Sequence, residues 1–256
     1  MSESRWEKLK EKIRRNIGDY QLNEDLETVF NLNCNEGIYS GQILEGKKSG
    51  IGYLKFEDGS KYFGGWKNNK PHGNGYLVFN DIKKNNKNHF YRGEFKHGLY
   101  SGEGTYKEGL YFYEGNWESN KKHGVGHECM RNMDNYYGDF FEGKRHGSGI
   151  IEMENGGKVE GIFENGSLVA GTYELEENKD NRINYQGYWK NGLFHGEGTL
   201  IISSTESHII RMEGIFVKGE FNKGAVFLRD SNRLEADVIE IGKETKRRIL
   251  RIDSGN

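Results

Sequence analysis

Proline and cysteine are close to absent from this chain, with one Pro and two Cys in 256 residues. Cys34 and Cys129 stand alone, too few for a disulfide framework or a zinc cage, and a reducing compartment is the simplest setting. No stretch approaches the ~18 consecutive apolar residues of a membrane-spanning helix. The N-terminus, MSESRWEKLKEKIRRNIG, alternates charged with apolar side chains where a secretory signal needs an unbroken apolar run. These absences predict a soluble, cytoplasmic protein. Net charge is only −2, which argues against a nucleic-acid partner.

The motifs of common chemistries are missing too. No G-x-G continues as G-x-G-x-x-G, no G-x-x-x-x-G-K-S/T occurs, and there is no H-E-x-x-H or nucleophile elbow. The expectation is no enzymatic activity, no catalytic residue, no cofactor and no bound metal. One stretch, HGVGHEC, gathers His123, His127, Glu128 and Cys129. However, His123 falls where His72, His146 and His195 recur, and a residue repeated once per unit is read as holding the unit together.

What the chain does have is glycine and aromatics. Its 37 Gly are about twice the usual ~7% share. A disordered chain would be poor in rings, yet 15 Tyr, 14 Phe and 4 Trp run through the sequence. Charged residues make up 30% and mean hydropathy is −0.89, which fits a thin or open architecture better than one thick core. Charge is unevenly spread: residues 1–17 and 243–251 are basic, and 151–180 is acidic.

Six segments align over fourteen residues without a gap: YSGQILEGKKSGIG from Tyr39, YFGGWKNNKPHGNG from Tyr62, YRGEFKHGLYSGEG from Tyr91, YEGNWESNKKHGVG from Tyr113, YYGDFFEGKRHGSG from Tyr136 and YQGYWKNGLFHGEG from Tyr185. Weaker copies start at Val159 and Met212. The unit is about 23 residues long, and longer spacings are loop insertions, the longest being NDIKKNNKNHF from Asn80 to Phe90. In Y-x-G-x-W the first, third and fifth side chains share one face of a strand. The eighth position is always Gly or Asn, the types that best tolerate positive φ, which marks a tight hairpin turn. The returning H/S-G-x-G leaves a bare strip that rings can cover, and Leu54, Leu77, Tyr106, Glu128, Ile151 and Leu200 follow on the same face.

The predicted fold class is therefore an all-β repeat protein: an elongated, twisted, single-layer antiparallel β-meander of about eight hairpin units, ~16 strands in all, with short helical flanks. The repeat array is placed at 37–228 between flanks at 1–36 and 229–256. The aromatic stripe is the predicted partner-binding groove, carried by Tyr62, Trp66, Tyr91, Phe95, Tyr113, Trp117, Tyr136, Phe140, Tyr185 and Trp189, some of which must serve packing alone.

With its Y-x-G-x-W/F, N-G and H-G-x-G elements, the array resembles the MORN (membrane occupation and recognition nexus) repeat over about residues 39–224. The resemblance implies a groove that takes a helix or extended peptide, or that mediates self-association. It also implies a role at cilia, flagella or other cytoskeletal structures, or at membrane junctions. The function expected is a protein-interaction scaffold in such an assembly. The alternatives are a peripheral membrane module that binds anionic phospholipid, and a targeting subunit for a separate enzyme. Ile43, Glu128 and the two weak copies depart from the pattern.

Both flanks carry helical signals. Ser4 and Glu7 form a capping box, Trp6, Leu9, Ile13 and Ile17 recur at helical spacing, and Gly18 suits a C-cap, so a basic helix is predicted over about 4–17. Two readings stay open for it: a cap that docks on the first hairpins, or a basic amphipathic helix for a partner or membrane. At the other end, Leu234, Val238, Ile241, Ile249 and Leu250 favour helix over strand, with a break at Gly242 and a solvated KRR at 246–248.

Overall fold

A computed structural model describes residues 2–80, 89–130, 134–178, 181–204, 207, 209–229, 233–241 and 244–253. Most of the Asn80–Phe90 insertion lies outside them, as do the side chains of the 246–248 cluster. Contacts group the chain into two units: Met1–Arg131 with Phe141–Gly143, and Asn132–Phe140 with Lys144–Asn256.

The first unit holds helix α1 (Ser2–Ile17), then β1 (Glu27–Cys34), β2 (Gly37–Leu44), β3 (Lys47–Phe56), β4 (Lys61–Lys67), β5 (Lys70–Val78), β6 (His89–Lys96), β7 (Leu99–Glu108), β8 (Tyr111–Glu118) and β9 (Lys121–Met130). Each strand pairs antiparallel with the next. The second unit runs from β10 (Asn135–Phe141) through β11 (Lys144–Glu152), β12 (Lys158–Glu164), β13 (Ser167–Asn178), β14 (Asn181–Lys190), β15 (Leu193–Ser203), β16 (Ile209–Val217) and β17 (Glu220–Leu228) to β18 (Arg233–Ile241) and β19 (Glu244–Asp253). It is the same antiparallel meander. The eight expected hairpins are β2/β3 through β16/β17.

Turn chemistry explains the hairpins. Both central residues have positive φ in each: Glu45 and Gly46 at 50° and 72°, Asn68 and Asn69 at 49° and 64°, Ser119 and Asn120 at 50° and 67°. This is the type I′ turn, whose twist matches that of the strands it joins. The first Gly of each H/S-G-x-G also has positive φ, as at Gly73 (69°) and Gly147 (63°). It sits in a bulge: from Gly64↔Gly75 to Trp66↔Pro71 one strand advances two residues and its partner four.

Two expectations are corrected at the ends. The C-terminal flank is not helical. Strand β18 pairs with β17 from Lys223↔Asp237 to Phe227↔Arg233, and β19 folds back on β18. The exposed ladder of β17 offers unsatisfied backbone groups to any segment rich in β-branched residues, and Val238, Ile239, Ile241, Ile249 and Ile252 make this one such segment. The sheet also begins before the first repeat, since β1 pairs with β2. At the N-terminus α1 forms as expected but starts at Ser2, so Ser4 lies inside its first turn. Gly18 ends the helix at φ 79° with its N–H on the Arg14 carbonyl at 2.8 Å.

Candidate interaction surfaces

Strand alternation gives the sheet two chemically different faces. On one face stand the repeat tyrosines Tyr39, Tyr62, Tyr91, Tyr113, Tyr136 and Tyr185, all 0–1% exposed. Each ring lies over the facing pair of glycines in its own hairpin. A Cβ on Gly75 would meet Tyr62 Oη at 2.4 Å, and one on Gly149 would meet Tyr136 Cε2 at 2.5 Å, so only glycine fits there. Each hydroxyl donates to the carbonyl three residues on: Tyr39 to Gln42 at 2.7 Å, and Tyr62 to Gly65, Tyr91 to Glu94, Tyr113 to Asn116, Tyr136 to Asp139 and Tyr185 to Tyr188 at 2.9 Å. Burial raises the pKa of Tyr39, Tyr62, Tyr91, Tyr113 and Tyr185, because a phenolate would lose its hydration.

The ring at the fifth position ties one copy to the next. Trp66 packs edge-on against Tyr62 of its own hairpin and Tyr39 of the previous one, at 5.1 and 5.5 Å between centroids. Phe95 does the same with Tyr91 and Tyr62, Trp117 with Tyr113 and Tyr91, and Phe216 meets Tyr185. Such contacts are worth about 0.5–1.5 kcal/mol each beyond the area they bury. The backbone repeats the link. The eighth-position N–H donates to the tenth-position carbonyl of the preceding copy, as in Asn69 to Lys48 at 3.0 Å and Gly98 to Pro71 at 2.9 Å.

The tenth position was not singled out by sequence reasoning, although its residue covers the tyrosine in five of six copies. Tyr100 and Phe194 stack on Tyr91 and Tyr185 at 3.6 and 3.7 Å. Lys48, Lys122 and Arg145 lie over Tyr39, Tyr113 and Tyr136 at 5.8, 5.5 and 4.4 Å. Aromatic and cationic residues serve equally, because both complement a ring face. Their chemical variety is what hid them. Glu128, the odd residue of the apolar stripe, is explained here as well: it accepts from Tyr111 Oη at 2.7 Å and pairs with Lys122. His127 and Cys129 alternate to the other face, and the described residues contain no group of three side chains able to hold a metal.

The structure therefore brings the ten predicted groove residues together, but as interior. Nine of them are at most 9% exposed, and Trp189 is half-buried with its Nε1 donating to the Gly171 carbonyl at 3.4 Å. Tyrosine rings sandwiched between glycines and a covering side chain offer nothing for a partner to touch.

The opposite face is the accessible one. In the first unit α1 lies across it, with Ile13 and Ile17 buried against Ile51 and Phe63, and Trp6, Leu9, Tyr53 and Tyr76 around them. Lys12 Nζ stands 4.9 Å from the Tyr53 ring and 5.1 Å from that of Phe63. The following segment fastens the helix: Tyr20 Oη donates to the Lys10 carbonyl at 3.0 Å, and Gln42 Nε2 to the Asn23 carbonyl at 2.6 Å. On the same face of the second unit lies an open groove of about 660 Å³, lined by Tyr137, Ile150, Glu160, Ile162, Gln186 and Tyr188 among others. Tyr137, Ile162 and Tyr188 are 40, 46 and 58% exposed, a concentration of apolar surface that strand periodicity alone does not mark as a site.

Hairpins keyed by Tyr over Gly, coupled only to their neighbours and open on one face, define a β-hairpin repeat protein of the kind that presents an extended surface. The model of the MORN repeat matches residues 39–61, 62–81, 91–107, 113–132, 136–158 and 185–204, the six clean copies. The chain is a MORN-repeat protein, built from a non-catalytic module that typically mediates interaction with proteins or membranes. It is similar to alsin from Homo sapiens (27% identical over 187 residues) and from Mus musculus (28%), the matches covering 63% of this chain. The matched region is only 9% of the length of those relatives.

Proposed function

We propose that this chain is a protein-interaction scaffold in a cytoskeletal assembly, ciliary or otherwise, in the cytoplasm, and that it engages partners through the face opposite the tyrosines. The observation that carries this reading is the pairing of one occupied and one open stretch of that face. The protein buries its own helix there in the first unit, and in the second unit it leaves Ile162 and Tyr188 exposed. Double substitution Ile162→Lys/Tyr188→Lys alters exposed side chains only, so thermal stability should hold. Crosslinking of the tagged chain in its own cell should then lose neighbours captured with the unaltered protein. Retention of all of them would sink the proposal, and imaging of the same tag tests the cytoskeletal location.

A peripheral membrane role is the second reading, favoured by the exposed Lys8, Lys12, Arg14 and Arg15 of α1. Each basic residue near an anionic surface contributes about 1 kcal/mol. The apolar side of α1 is already buried against the sheet, which leaves charge alone to hold lipid. Sedimentation with anionic liposomes across a salt series decides: a lipid binder pellets at low salt and is released at high salt. Self-association through sheet edges is followed by light scattering at several concentrations.

A further inference from the structure

The open groove of the second unit occupies the same repeat positions as the surface that α1 covers in the first. Phe63 is the second residue of its copy, and Tyr137 is the second of its own; Tyr76 follows the second glycine of one copy, and Ile150 follows that of the other. Phe63 and Tyr76, together with Ile51, are among the residues against which α1 buries its Ile13–Ile17 side. Where the first unit has the side-chain-free Gly65 at the fourth position, the second has Ile162 and Tyr188, which raise the apolar walls of the groove.

Charge identifies the occupant. Along this face of the second unit Glu160, Glu174 and Glu197 are exposed; the first two belong to the acidic 151–180 stretch, and Glu160 carries an ion pair with Lys158 at 3.3 Å. Helix α1 has the complementary make-up: Arg5, Lys8, Lys10, Lys12, Arg14 and Arg15 against Glu3, Glu7 and Glu11. It also shows how a basic side chain is used on this face, since Lys12 lies over two rings at once. A cation from a helix in the second groove has the exposed Tyr188 ring to lie over, and the Glu174 and Glu197 carboxylates stand on the same face. From this the geometry points to a specific occupant: the groove lined by Tyr137, Ile150, Ile162 and Tyr188 binds a basic amphipathic α-helix of a partner, patterned like α1 with apolar residues at i, i+4 and i+8. The inference rests on the scaffold reading above and names the class of partner.

The probe is a labelled synthetic peptide of residues 2–18, SESRWEKLKEKIRRNIG, titrated into the full chain by fluorescence anisotropy. The full chain keeps its own α1 docked, so the second groove is the site on offer. Saturable binding is expected, weakening as salt rises. Ile162→Lys/Tyr188→Lys should weaken it about tenfold or more, a factor that the loss of one good apolar contact can supply. Leu110→Lys, an equally exposed substitution in a turn of the first unit, should leave it unchanged. A peptide with Lys8, Lys12, Arg14 and Arg15 all replaced by Glu should not bind. No binding of the basic peptide, or equal binding to the wild type and the groove variant, overturns the inference. Equal binding of the acidic peptide overturns the charge assignment and with it the inference. None of these outcomes touches the scaffold reading, which stands or falls on crosslinking in the cell.

Discussion

A tyrosine whose hydroxyl bonds three residues along its own strand acts as a staple, and its ring then excludes any side chain from the facing glycines. Removing only the hydroxyl, as in Tyr136→Phe, should cost about 1 kcal/mol, the usual net value of one such bond. Gly149→Ala should cost more, roughly 1–3 kcal/mol, because the added methyl is driven into the Tyr136 ring. Both are read from urea denaturation midpoints. Alkali provides a further test. The folded-state pKa values of Tyr39, Tyr62, Tyr91, Tyr113 and Tyr185 are raised above the ordinary 10.0. Below that value these groups are neutral in both states and stability is unaffected. Above it the unfolded chain ionises first, so stability should fall as pH climbs from 10 through the folded values. Ultraviolet titration should show these phenols ionising later in the native protein than in denaturant.

Elements differ in how legible they were. The hairpins could be read because a type I′ turn admits so few residues, and because Tyr and the paired Gly recur at fixed offsets. Asn at the eighth position carries more than its φ: Asn69 Oδ1 accepts the Lys48 N–H and Asn120 Oδ1 the Tyr100 N–H, both at 2.7 Å. Asn120→Ala loses that bond and forces alanine into the left-handed region, which should cost roughly 2 kcal/mol by thermal or urea melting. The β18–β19 hairpin was misread because it has no glycine pair and no tyrosine, and its apolar residues match a helical period about as well as a strand period. For α1 the helix was evident but its docking site was not. The site is made by residues on the face opposite the tyrosines, Ile51, Phe63 and Tyr76 among them, which vary from copy to copy. Ile13→Asp puts a charge into that buried contact, so hydrogen exchange should show α1 amides losing protection while β6 to β9 keep theirs.

Across the molecule, stability should be uneven, since each copy leans mainly on the next. The hairpins β12/β13 and β16/β17 have glycine pairs, Gly161 with Gly171 and Gly214 with Gly224, but Val159 and Met212 where the tyrosine would be. Exchange protection there should be lower than in β6 to β9, as measured by mass spectrometry on peptides from each hairpin; equal protection would show that the tyrosine staple is not what sets local stability. The aromatic stripe read as a groove turned out to be interior. Periodicity reports which residues share a face, and it is silent on which face remains open.

The edge-on contact between the fifth-position ring of one copy and the tyrosine of the copy before it has a bearing on how such a chain can change length. Each joint asks only for a Tyr behind and a Trp or Phe ahead, and a copy with both rings, such as those from Tyr62, Tyr91 and Tyr113, supplies both. Duplicating or excising one whole unit in phase recreates the same joint on either side of the cut, whereas a fractional insertion within a strand would leave a ring without its mate. Growth by complete modules is therefore the route this packing tolerates, with extra residues confined to the turns between them.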